Sequence, residues 1–238
     1  MRRFREMSQP ARPRLTGLRS RSPRAGALAG ILFSLLMGTY YLLIRTSVPA
    51  DPTASADWME QEGGKVRLAL SLVPFAGISF LWFIGVVRDR IGRSEDQFFS
   101  TVFFGSGLLF LAMVFASSAV GSGLLASYEA LPDEVLDSGL YTFGREVTYR
   151  ASNVFALRMS GVFMISLGTI WVRTRTMPRW LAVLTYVTAL VLLFSVSFSL
   201  WLSLLFPAWV LLVSIYIMIL NFRGRESLLG QDADPIAT

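Results

Sequence analysis

The sequence contains no cysteine and no histidine, and Lys65 is its only lysine. Without cysteine the chain by itself forms no disulfide, no thiolate nucleophile and no Cys/His metal site. Without histidine it has neither a Ser-His-Asp triad nor an imidazole proton shuttle. A serine nucleophile would need a lysine as its base, and Lys65 falls in a polar connection. Charge is scarce too: 16% of residues, against about 25% in an average soluble domain. What fills the space is apolar, 53% of the chain.

The apolar residues come in long runs. Trp180–Phe222 is 43 residues without one charged side chain. As a single helix it would be about 65 Å long, at about 1.5 Å per residue, whereas the hydrocarbon core of a bilayer is about 30 Å thick. Such a run crosses twice, with a hairpin near Ser197–Ser203, and no soluble domain needs it. The sequence therefore predicts an all-α polytopic membrane protein.

In chain order, residues 1–24 carry eight arginines and one acid, with Pro10, Pro13 and Pro23. This reads as a disordered basic tail, an anchor setting orientation and a candidate contact for anionic lipid head groups. The membrane domain is expected over 25–222, with spans at 25–44, 68–87, 98–120, 151–172, 180–198 and 201–221, followed by a polar tail at 223–238. The first span is read as a retained helix, since its apolar core exceeds that of a signal peptide. Pro74 is expected to kink the second span and Pro207 to bend the sixth. Gly77, Ser79 and Gly85 are expected to let a neighbouring helix approach. Gly121-Ser122-Gly123 should loosen the end of the third span. Leu140–Tyr149 reads as an interfacial helix or an outward extension of the fourth, with Tyr141, Phe143 and Tyr149 as aromatic anchors.

The connections alternate in charge. The tail, the turns at Arg88–Arg93 and Arg173–Arg179, and the end at Arg223/Arg225 are rich in arginine, whereas Asp51–Glu62 and Glu129–Asp137 are acidic. By the positive-inside rule both termini are cytoplasmic and the protein belongs in the plasma membrane. The same rule accounts for the net charge of +6 without invoking nucleic acid.

Arg158 is the one charged residue inside an expected span. A charge at mid-bilayer costs roughly 2.5–3.5 kcal/mol and normally faces the bundle interior with a partner. Val154, Gly161, Ile165 and Gly168 lie near it on a helical wheel, which suggests a packed face. Glu129, Glu146 or helix carbonyls are the candidate partners, and these three side chains form the candidate substrate-binding set. The serines and threonines of the spans read as interhelical contacts. No catalytic constellation, metal site or cofactor motif is visible.

The turn Gly85–Arg93 (GVVRDRIGR) resembles the loop signature of the major facilitator transporters, in which Gly85, Asp89, Arg90, Gly92 and Arg93 match. That resemblance implies a charge relay in this turn, stabilising one transport state. The segments WFIGVVRDRIG, EDQFFSTVFFGSGLLFLAMVF and TRTMPRWLAVLTY look like those of uncharacterised six-helix integral membrane proteins of actinobacterial type. This second likeness implies a fold and no activity.

The sequence thus points to a non-enzymatic structural, accessory or interaction protein of the membrane, with the bilayer and a second membrane-protein copy or partner as its contacts. One alternative is a small transporter or permeation subunit in which Arg158 lines an outward-facing polar cavity. Another is a lipid-acting enzyme that uses the 129–150 connection.

Overall fold

The structure, a computed structural model, describes residues 22–49, 54–91, 97–194 and 200–231. Residues 1–21 of the basic tail, Gly92 and Arg93 of the charged turn, the centre of the expected hairpin and residues 232–238 lie outside it. The described residues are helical almost throughout: α1 (Ser22–Ser47), α2 (Asp57–Ile91), α3 (Gln97–Ala130), α4 (Pro132–Asp137), α5 (Leu140–Arg150), α6 (Leu157–Thr174), α7 (Arg179–Phe194) and α8 (Leu205–Gln231). A π-helical turn over Ala151–Ala156 joins α5 to α6, and a 3₁₀ segment over Leu200–Leu204 leads into α8. Five stretches are long and apolar enough to cross a membrane: Ala25–Ser47, Asp57–Arg88, Phe98–Ala130, Leu140–Thr174 and Trp201–Leu220. The apolar α7 has 16 residues and is shorter than these.

At the end that carries the acidic connections, three helices outrun their expected spans. α2 begins at Asp57 rather than near residue 68, α3 runs past Gly121 and Gly123 to Ala130, and the fourth span is preceded by α5. Hydropathy marks where a helix can sit in lipid; it does not mark where the helix stops. The polar start of α2 has its own helix signals. Asp57 and Glu60 occupy its first turn, where carboxylates favour the helix dipole, and Lys65 pairs with Glu62 at 2.7 Å. Met59 and Val66 are buried there, and Gly63 faces Leu125 of α3. α5 begins after Gly139, whose φ of +74° takes the left-handed conformation that glycine adopts without a Cβ penalty.

Pro207 and Gly85 also depart from expectation. α2 continues through Pro74, which lies on its exposed side. Pro207 falls in the first turn of α8, where a missing N–H breaks no helical bond, so it starts the helix rather than bending it. Gly77 does receive Phe115 of α3, but a Cβ on Gly85 would meet nothing within 4 Å. α8 continues to Gln231, through residues expected to form the polar tail.

The core lies where five helices meet. Phe33 (α1), Phe80 (α2), Phe110 (α3), Phe163 (α6) and Phe206 (α8) are each no more than 1% exposed. Their rings form one cluster, with centroids 4.6 Å apart for Phe33–Phe80, 4.8 Å for Phe110–Phe206 and 5.4 Å for Phe80–Phe163. Phe83 and Phe103 extend it. Most aromatic pairs meet edge-on or tilted, the geometry that the ring quadrupole favours. α7 is held against this body by Thr169–Tyr186 (2.9 Å) and by Trp209, whose indole N–H donates to Thr185 at 2.9 Å. Outward-facing residues such as Phe75, Ile78 and Trp82 of α2 form apolar stripes suited to lipid.

Candidate functional site

One group of the spans' polar side chains gathers at the end where α1 stops and α2 and α5 begin. Their centre is Arg45, in the last turn of α1. Tyr41 precedes it by four residues and shares its helical face. Across from them stand Ser117 and Ser118 of α3, Ser152 and Asn153 of the π-helical turn, and Ser203 of the 3₁₀ segment. Arg45 Nη2 donates to Asn153 Oδ1 at 2.7 Å and to Ser203 Oγ at 3.4 Å. Tyr40 lies among Ser117, Ser118 and Ser152, and Tyr40, Tyr41 and Tyr149 are the ionisable groups near Arg45.

The π-helical turn builds this site. It inserts one residue into the helical ladder and loosens the carbonyls around it. Two side chains take up that slack. Ser117 Oγ donates to the Thr148 carbonyl at 2.8 Å, and Asn153 Nδ2 donates to the Tyr149 carbonyl at 3.1 Å. Asn153 is thereby held by its amide nitrogen and offers its oxygen to Arg45.

The cluster remains under-satisfied. Arg45 Nε, Tyr41 Oη and Ser118 Oγ are buried without a hydrogen-bond partner. The ion pairs among the described residues are Lys65–Glu62, Arg67–Glu129 and Arg150–Glu146, so no carboxylate among them balances Arg45. Both partners that Arg45 has are neutral. The arrangement presents a half-buried positive charge and hydroxyl donors, with no base or nucleophile poised among them.

No known protein family, curated protein or solved structure matches the chain.

The side chains singled out from the sequence are not brought together. Arg158 is exposed and shares its outward face with Phe155, which is 53% exposed. Gly161 and Gly168 lie on the flank of α6 that packs against α7: Gly161 faces Leu193 and the Ala189 carbonyl, and Gly168 faces Thr185 and Tyr186. The glycines mark a packed face, but it is turned roughly 60–80° from Arg158, at about 100° per residue. Glu129 pairs with Arg67, and Glu146 pairs with Arg150 at 2.5 Å. Asp89 and Arg90 fall in the last turn of α2, so the Gly85–Arg93 stretch is helical as far as Ile91.

A second feature caps the same end. Arg145 donates to the Pro49 carbonyl at 2.6 Å and to Tyr141 Oη at 2.9 Å, and Trp58 donates to that hydroxyl at 3.0 Å. These bonds tie the α1–α2 connection to α5. Of the expected aromatic anchors, Tyr141 is thus buried in this network, whereas Phe143 is 68% exposed. Beside it an open cleft of about 370 Å³ is lined by Glu60, Arg67, Tyr128 and Glu129.

Arg45 escapes a hydropathy reading because a charge at the end of a span passes for a boundary marker. The spacing of Tyr41 and Arg45 was the available signal. The π-helical turn that completes the site has no sequence signature.

Proposed function

We propose that this chain is a plasma-membrane protein crossing six times, α7 included, with its arginine-rich end in the cytoplasm and its acidic end outside. It works by binding rather than by catalysis or permeation, as a non-enzymatic accessory or interaction protein. The observation that carries this reading is the division of the interior. Seven buried phenylalanines fill the middle of the bundle, while three of the four buried polar atoms without a hydrogen bond among the described residues sit at one end, the fourth being Ser214 Oγ beside Gly30. Phe33 lies 12 residues from Arg45 along α1, about 18 Å deeper, so a ligand at Arg45 faces a dry aromatic plug. The charge distribution supports the orientation: Arg88, Arg173, Arg175 and Arg179 are at one end, and Glu60, Glu62, Glu129, Asp133, Glu134 and Asp137 are at the other. Arg158 gives the transporter alternative little support, because it faces outward rather than into the bundle.

The test is flux across vesicles reconstituted with the full chain, using chloride, inorganic phosphate and small carboxylates. Binding without passage gives rates equal to protein-free vesicles. Saturable flux that falls on Arg45→Gln or Arg158→Gln overturns the reading.

A further inference from the structure

We infer that the Arg45 cluster is a binding site for a single oxyanion, a phosphate group above all, at the membrane interface. The inference rests on the binding reading above and specifies its ligand. Three observations carry it.

The first is charge without countercharge. Arg45 is half-buried and makes hydrogen bonds only to Asn153 Oδ1 and Ser203 Oγ, and no acid among the described residues pairs with it. A buried guanidinium facing only neutral partners is costly unless an anion completes it. The second is the type of group left over. Arg45 Nε, Tyr41 Oη (residue 2% exposed) and Ser118 Oγ (7% exposed) can all donate, and none makes a hydrogen bond of good geometry, although Ser152 lies near Tyr41 and Tyr40 near Ser118. Each such group costs roughly 1–3 kcal/mol while unpaired. A phosphate or carboxylate offers several lone pairs and suits a guanidinium edge. A cation would be repelled by Arg45, and an apolar ligand would satisfy none of these groups. The third is position. Arg45 lies two residues before the end of the span Ala25–Ser47. That is the depth of lipid head groups, and it is also within reach of solutes from the aqueous side. The recognised chemistry is the same in both cases: a phosphate group bound at the Arg45 cluster.

The experiment uses the full chain, delipidated in neutral detergent and titrated with inorganic phosphate. In parallel it is reconstituted in phosphatidylcholine bilayers with and without phosphatidylglycerol. The readout is the unfolding temperature as a function of anion concentration. The wild type and Arg158→Gln should both be stabilised by at least one of the two probes. Arg45→Gln and Tyr41→Phe should bind about tenfold more weakly, a loss of about 1.4 kcal/mol. Tyr41→Phe removes one hydroxyl and keeps the ring, so it decides the matter if Arg45→Gln does not fold. It also leaves the basic tail untouched, which separates this site from general attraction to anionic lipid. A response to phosphate in detergent assigns a soluble oxyanion. A response to phosphatidylglycerol alone assigns a lipid head group. If neither probe stabilises the wild type, or if Tyr41→Phe responds as the wild type does, the inference fails. Flux is read separately: flux with normal oxyanion binding would overturn the non-conducting reading and leave this one standing.

Discussion

At the scale of single residues, two arginines exchange roles. Arg158 looked buried because glycines lie near it on the helical wheel, yet those glycines serve α7 and the arginine faces outward. Arg45 looked like a boundary charge, and its guanidinium lies inside a polar cluster. The sequence shows which residues are small or charged; the azimuth at which a neighbour packs is a property of the assembled bundle. Glycine makes the same point in energetic terms. A Cβ at Gly30 would overlap Ser214 Oγ and stand 2.8 Å from the Phe83 ring, whereas one at Gly85 would meet nothing within 4 Å. Gly30→Ala should therefore destabilise the protein by roughly 1–3 kcal/mol through overpacking. Gly85→Ala should be neutral or stabilise by about 0.5–1 kcal/mol, since alanine is the better helix former. Thermal unfolding of the two variants in detergent checks the contrast; equal effects would mean that α1 does not approach α8 this closely.

Among the elements, the order and helical character of the segments were legible from hydropathy, because a long uncharged run in lipid has to satisfy its backbone internally. Their ends were not. α2, α3 and α5 continue into polar sequence held by local pairs such as Glu62–Lys65 and by contacts such as Met59 and Val66 against the neighbouring helices. The π-helical turn was not legible either, since its cause is tertiary: Ser117, on another helix, caps the loosened Thr148 carbonyl. Ser117→Ala should cost about 1 kcal/mol by removing that bond in a buried setting. It should also weaken oxyanion binding, because Asn153 loses its fixed placement. Paired unfolding and titration curves check this. Lost stability with unchanged binding would mean that the turn holds its shape without Ser117.

For the whole molecule, the distribution of charge between the two ends is the feature that sequence conveyed best. It needs only the order of the connections and not their geometry. It makes a direct prediction in a chain free of native cysteine. In intact cells, Lys65→Cys should react with a membrane-impermeant thiol reagent, and Arg175→Cys should react only after permeabilisation. The reverse pattern would invert the bundle. The phenylalanine cluster, by contrast, was not legible as a plug. Eighteen phenylalanines are spread along the chain, and only the packing shows that the buried ones converge from five helices.

The π-helical turn carries a consequence for descent. A π-helical turn holds one residue more than the same path of α-helix. In a kindred chain lacking that residue, α5 and α6 would form one unbroken helix, rotated by about 100° on one side of the join. The amide at 153 would then point elsewhere, and Arg45 would lose its closest neutral partner. A one-residue gap at 151–156 would thus separate chains that carry the interface site from chains that share only the bundle.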